Sequence, residues 1–221
     1  MIQHHPDDEL LLAHAGGHLG RGPGLLVDVH LEGCAHCRAR LHDFEALGGA
    51  LLEAGEPALM APDALARTLA RIDDAPPIAR AAPQEPGAAV APIDWPAGVP
   101  WPRALQRCEV PRWRWMGPGM RWCRLTLPEQ PAERLYLLRI GPGRSLARHT
   151  HSATELTQIL CGAFDDGRAV FGPGDFDSAD DQVHHQPAVL PGHECICLAS
   201  VGGPMRFDGR IAAFVGSLIG M

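Results

Sequence analysis

Lysine and asparagine are both absent from these 221 residues, so all 19 basic side chains are arginine. With the abundance of Ala, Gly and Pro, that bias matches the codon usage of a GC-rich genome and says little about function. A long apolar run is also missing. The longest, Ile211 to Met221, is about half of the roughly 20 residues a spanning helix needs. The start of the chain lacks a secretory signal: Met1-Ile2-Gln3-His4-His5 leads straight into acidic residues, with no basic n-region and no apolar h-region. The expected location is therefore the cytoplasm, with no membrane association. There the seven cysteines are expected to be metal ligands, redox sensors or buried thiols rather than structural disulfides.

Positive charge is missing from the N-terminal third. Residues 1–75 hold 12 acidic and 5 Arg residues, net −7, whereas residues 76–221 hold 14 of each. Such a surface repels nucleic acid and suits a basic protein partner. The apolar fraction of 46% is enough for packed cores, and the length allows one large domain or two small ones. No internal repeat is visible.

Eight prolines fall between 75 and 102. Proline fixes φ and has no amide hydrogen, so this stretch reads as an extended, semi-rigid linker and a domain boundary. Before it the pattern is helical. Pro6-Asp7-Asp8-Glu9 starts a first helix that Gly16-Gly17 stops. Leu25–Leu31 reads as a second, ended at Gly33, and Cys34 to about Glu53 as a third, with apolar Leu41, Phe44 and Leu47. Pro62-Asp63 begins a fourth, on which Leu65, Leu69 and Ile72 form a stripe at i, i+4, i+7. After the linker come short apolar runs parted by Gly, Pro and Asp: 121–127, 134–140, 156–160, 168–171 and 194–199. That rhythm predicts an all-β barrel or sandwich. The expected division is 1–75 helical, 76–102 linker and 103–221 barrel.

His30-x3-Cys34-x2-Cys37 is the first chemical constellation. On a continuous helix the three side chains share one face. If Gly33 breaks the helix, both cysteines fall in the first turn of the next, where the dipole favours the thiolate that zinc binds. Structural zinc takes four ligands, so one more must come from elsewhere. His5 is the choice, with His4 its close competitor and His36 and His42 behind. A CxxC redox pair, or two ordinary helix cysteines, is the other reading. His14 and His18 are expected on the surface.

The second constellation is Gly143-x5-His149-x-His151-x3-Glu155-x6-Gly162, which fits the first cupin motif at every spacing. Side chains alternate on a strand, so His149 and His151 point the same way. Glu155 follows a turn and faces the same interior. Gly174-Asp175 opens the second motif, and His185 fits the register of its histidine; His184 would face away. Solvent exposure is the alternative for a lone His-x-His. Three imidazoles and a carboxylate accept zinc, manganese, iron or nickel. Cys195-x-Cys197 lies on one strand with both thiols on one face, a candidate redox pair or two buried inert thiols. Cys108 and Cys123 look like core. The five tryptophans, Trp95 to Trp122, read as packing, and the arginines among them as a barrel rim docked on the acidic helical part or a nucleic-acid patch.

A small helical His-x3-Cys-x2-Cys unit joined to a cupin resembles the ChrR-type zinc-binding anti-sigma factors. The resemblance spans nearly the whole chain. It rests on His5, on His30-Leu31-x2-Cys34-x2-Cys37-Arg38-Ala39-Arg40, on His149-x-His151-x3-Glu155-Leu156-Thr157, on Gly162-Ala163-Phe164 and on Cys195-Ile196-Cys197-Leu198-Ala199. It implies a small all-α zinc-binding domain plus an all-β jelly-roll cupin, and a regulator rather than an enzyme. It implies an N-terminal domain that wraps an extracytoplasmic-function (ECF) sigma factor one to one, covering the surfaces that bind core RNA polymerase. It further implies zinc at His5, His30, Cys34 and Cys37, and zinc or another divalent metal at His149, His151, Glu155 and His185. The cupin would respond to singlet oxygen or organic peroxide. Leu65, Leu69 and Ile72 would touch the sigma factor, or pack within their own domain. A cupin metalloenzyme of dioxygenase type with an accessory zinc domain is the competing reading. A DNA-binding regulator is a third, weakened by the acidic N-terminal third.

Overall fold

The structure is a computed structural model, and it describes residues 1–74 and 91–208. Most of the expected linker, 76–90, and the C-terminal apolar run from Ile211 lie outside the described residues.

Four helices come first: α1 (Asp8–Ala15), α2 (Arg21–Gly33), α3 (Ala35–Glu53) and α4 (Ala64–Asp73). Asp7 caps α1 by accepting a hydrogen bond from the Leu10 amide at 2.7 Å. Asp8 and Glu9 fill its first turn, where carboxylates meet the positive end of the dipole. Helix α2 begins four residues before the expected Leu25. Its first turn is Arg21-Gly22-Pro23-Gly24, which reads as loop in sequence. First-turn amides have no intrahelical partner, so proline there costs nothing. Cys34 leaves helical geometry at φ −105° and ψ 102°. It closes α2 and caps α3, its Sγ accepting from the Cys37 amide at 3.4 Å.

A 3₁₀ turn at Arg103–Arg107 leads into the barrel. Its first strands are β1 (Arg114–Gly117), β2 (Met120–Leu127), β3 (Gln130–Ile140), β4 (His149–His151), β5 (Glu155–Cys161) and β6 (Phe164–Asp165). Then follow β7 (Val170–Phe171), β8 (Phe176–Ala179), β9 (His184–His185), β10 (Ala188–Val189), β11 (Cys195–Val201) and β12 (Met205–Phe207). Six strands make one antiparallel sheet in the order β1-β2-β3-β11-β5-β8, and β10-β6-β7 and β12-β4-β9 complete the cupin barrel.

The large sheet is apolar on both faces, and strand parity divides them. On β11, Cys195, Cys197 and Val201 belong to the barrel interior. Ile196 and Leu198 belong instead to the cluster that holds Leu25, Leu26 and Val29 of α2. On β3, Tyr136 and Leu138 face in, while Leu135 and Leu137 face the helices. The helical layer and the barrel therefore share one core. Leu25 and Leu26 are fully buried in it, and truncating either to alanine should cost about 2–5 kcal/mol. Polar links rim this contact. Arg107 pairs with Asp28 at 2.7 Å, and the Glu32 carboxylate accepts from the Arg103 and Ala104 amides at 3.0 and 2.8 Å. Trp95 and Trp101 meet edge to face on the same cluster, so this end of the expected linker is packed down. Trp115 corrects the packing expectation, because it stands 75% exposed.

Candidate metal centres

At the α2–α3 corner His30 sits in the last turn of α2, Cys34 is the N-cap of α3 and Cys37 lies in its first turn. His5 reaches them from the N-terminal segment. Their donor atoms all lie within 4.8 Å of one another. His5 Nδ1 is 3.4 Å from Cys34 Sγ and 3.3 Å from Cys37 Sγ, and His30 Nε2 is 3.3 Å from Cys37 Sγ. Bonds of about 2.3 Å to sulfur and 2.0 Å to nitrogen in a tetrahedron put N and S about 3.5 Å apart, so the cluster is zinc-sized.

Proton positions agree. Gln158 donates its Nε2 hydrogen to the Ile159 carbonyl at 3.1 Å, which leaves Oε1 to accept from His30 Nδ1 at 3.1 Å. The His30 proton is thereby assigned to Nδ1, and the Nε2 lone pair points at the thiols, as in a metal ligand. Burial pulls the His30 pKa down and keeps the ring neutral. Burial, with a hydrogen bond to Cys34, pushes the Cys37 thiol up to about 12. A bound cation would reverse that, because zinc takes the thiolate.

The His4-His5 doublet separates. His5 faces the cysteines, while the His4 ring packs on Phe171 with centroids 4.6 Å apart. The Gln3 and His4 amides donate to Asp175 Oδ1 at 2.6 and 3.0 Å, and the Phe176 amide donates to the His4 carbonyl at 3.0 Å. Burial alone would raise the Asp175 pKa, but the amides of Gly172, Gln3 and His4 hold it below the ordinary carboxylate value. Ile2 lies over Gly174, where φ is +89° and a Cβ would come within 2.7 Å of Ile2 Cγ1. Only glycine suits that turn. His36 and His42 are exposed and outside the donor set.

In the barrel, His149 and His151 share the inner side of β4, and Glu155 opens β5. Strand β9 sets His185 opposite His149 and His184 opposite Thr150. His184 turns outward to Asp208 at 2.9 Å. His151 Nε2 is 2.9 Å from Glu155 Oε2 and 3.1 Å from His185 Nε2, which is 3.3 Å from His149 Nε2. His149 Nδ1 lies 2.8 Å from the Ala147 carbonyl, which can only accept. His185 Nδ1 faces the Asp166 carboxylate at 3.5 Å. Both contacts place the proton on Nδ1 and turn the Nε2 lone pairs toward each other. Two such lone pairs repel unless a cation lies between them. His151 Nδ1 is buried without a hydrogen-bond partner among the described residues. Burial and the nearby His149 lower His185 to about 4, and burial lowers His149. Burial would raise Glu155, but the imidazoles around it, His151 first, hold it below its ordinary value. With His149 and His185 pushed toward the neutral form beside an ionised carboxylate, the cluster is a ready donor set.

Behind His185, Arg168 bridges Asp166 and Asp177 at 2.5 and 2.8 Å. These carboxylates and His185 are close enough to chelate an ion themselves, but the Arg168 guanidinium already occupies both carboxylates. Asp166 instead aims His185, as a carboxylate behind a metal-bound imidazole does. Between the donors and Cys195 and Cys197 lies a cavity of about 30 Å³. That holds roughly one water-sized molecule, far below the roughly 300–1,000 Å³ of a substrate pocket. Burial pushes Cys195 up to about 12 and Cys197 well above the ordinary thiol range.

Leu65, Leu69 and Ile72 are 69%, 52% and 64% exposed, so they do not pack within their own helices. Gln158, Asp166 and Arg168 carry no signal in the sequence that marks them as site residues. Asp175 was visible only as half of a turn. Among the described residues no helix is long and apolar enough to cross a membrane.

A family model described as the ChrR cupin-like domain matches residues 101–204. The anti-sigma-E factor ChrR of Cereibacter sphaeroides is 36% identical over 218 residues, covering 97% of this chain and 96% of the relative. The crystal structure of Rhodobacter sphaeroides SigE in complex with the anti-sigma ChrR superposes with a TM-score of 0.71 at 33% identity. That match covers 91% of this chain and 99% of the other. An RmlC-like cupin protein of Ralstonia eutropha, at TM-score 0.40 and 19% identity over 46% of this chain and 69% of its own, is too distant to carry an argument.

Proposed function

The chain belongs to the ChrR family of anti-sigma factors, and from that membership we propose that it holds an ECF-type sigma factor in a one-to-one complex, away from RNA polymerase. The observation that carries the reading is correspondence over 97% of the chain with a relative named an anti-sigma factor. Exposed apolar side chains would supply the contact: Leu47 and Leu51 on the outer half of α3, and Leu65, Leu69 and Ile72 on α4. The net −7 of residues 1–75 suits a basic partner and speaks against direct contact with nucleic acid.

Zinc is the proposed ion at His5, His30, Cys34 and Cys37, since two thiolates and two imidazoles within tetrahedral reach are its preferred donors. Bound there, it would supply a structural cross-link. The residues themselves do the positioning: Cys34 through the α3 cap, His30 through Gln158, His5 through its anchored segment. His149, His151, Glu155 and His185 would hold zinc or another divalent ion, a donor set that does not select one metal. The barrel is the proposed sensor of oxidative stress, singlet oxygen or peroxide, with Cys195 and Cys197 as redox candidates. The small cavity beside them admits a molecule of dioxygen size and weighs against a dioxygenase acting on an organic substrate. The proposed site of action is the cytoplasm, without membrane contact.

Co-expression with the ECF-type sigma factors of the source genome, beginning with any encoded beside the gene, tests the reading. A co-purifying 1:1 complex that core RNA polymerase cannot enter is the expected result. Soluble, metal-loaded partners that elute separately would overturn it.

A further inference from the structure

The N-terminal donor cluster is only half self-contained. Cys34 and Cys37 are fixed by the α2–α3 corner itself. Each histidine is fixed by the barrel. His5 follows directly on a backbone segment whose Gln3 and His4 amides donate to Asp175 Oδ1. Asp175 is itself held, because its Oδ2 accepts from the Gly172 amide at 2.8 Å. His30 donates to Gln158, and its ring stands edge-on to Phe176 with centroids 5.8 Å apart. Gln158 and Phe176 are register partners across β5 and β8.

The same two strands serve the cupin donors. Glu155 opens β5 three residues before Gln158 and pairs with Ala179 of β8. Parity turns Glu155 into the barrel and Gln158 out toward α2. A shift of β5 or β8 at the cupin end therefore moves Gln158, and Asp175 beside Phe176, at the other.

We propose that Asp175 and Gln158 are positioning residues through which the barrel holds the N-terminal metal site closed. The proposal rests on the reading of His5, His30, Cys34 and Cys37 as a metal site. Release of either contact frees one histidine to swing away. The remaining donors cannot complete a tetrahedral set, and the ion leaves faster. Partners that orient metal-bound histidines typically matter 10–100-fold in metal affinity.

Cobalt(II) loading of the full-length chain provides the test. Thiolate-to-cobalt charge-transfer absorption can arise only at the N-terminal site, because the cupin donors include no sulfur. Its decay under excess EDTA gives the release rate. Asp175→Ala and Gln158→Leu should each release cobalt about 10–100-fold faster than the unaltered chain. Trp122→Leu, which loosens the barrel interior on β2, three strands from β5 in the sheet, should not. Unaltered decay in the first two variants would overturn the coupling and leave the metal site standing. Equally fast decay in Trp122→Leu would reduce the effect to general loosening and also overturn it. No charge-transfer band in the unaltered chain would remove the metal-site reading, and the proposal with it.

Discussion

At His30, His149 and His185 the deciding feature is which ring nitrogen carries the proton. Each Nδ1 faces an acceptor, namely the Gln158 amide oxygen, the Ala147 carbonyl or the Asp166 carboxylate. Each Nε2 is then left for the donor cluster. His5 offers Nδ1 instead, close to both thiols. The contrast with its neighbour gives a clean prediction. His5→Ala should lose the N-terminal ion to chelator dialysis, leaving one metal equivalent per chain, while His4→Ala should keep two. Metal analysis of the dialysed proteins reads the difference, and equal loss in both would assign His5 no ligand role. Sequence left this doublet open for a physical reason. Adjacent residues differ in direction, and what sets that direction is Asp175, 171 residues beyond His4. The shared facing of His149 and His151 was legible because alternation along a strand is local.

At the scale of elements, α3 and α4 show how an amphipathic pattern can point outward. Every α3 side chain from Glu45 onward is exposed, and so are Leu65, Leu69 and Ile72 on α4. Sequence showed the stripe but not what covers it, because the same spacing serves a domain core and a docking face. Exposure separates stability from binding. Leu69→Asp should shift stability by no more than about 0.5 kcal/mol, since the site is mostly solvent-exposed. If Leu69 anchors the sigma factor, the same change should weaken the complex by at least about 30-fold, the 2 kcal/mol of a central interface residue. Thermal unfolding and titration calorimetry measure the two effects separately. A complex of unaltered affinity would move the interface off α4. Strand β11 was legible as a strand, but not its two faces. Burial on both sides erases the alternation that would have shown Ile196 and Leu198 turned toward α2.

The proline-rich segment suggested two bodies on a tether, yet the apolar cluster of Leu25, Leu26, Leu135, Leu137, Ile196 and Leu198 crosses from helices to barrel. Long-range packing of this kind leaves no local periodicity, so the shared core does not show in sequence. The shared core has a thermodynamic consequence. Elements that bury the same surface lose it together, so the chain should unfold in one cooperative step. Two probes report on different parts. All five tryptophans lie at or beyond Trp95, on the barrel side, whereas helical circular dichroism reports chiefly α1 to α4. In denaturant titrations of the metal-loaded chain the two curves should coincide, and Leu26→Ala should move both midpoints by the same amount. A helical transition at clearly lower denaturant would mean that the α2 face separates while the barrel stands. In that case Asp175 and Gln158 would lose their hold on His5 and His30 before the cupin donors are disturbed, and the barrel could not set the N-terminal site by strand movement alone.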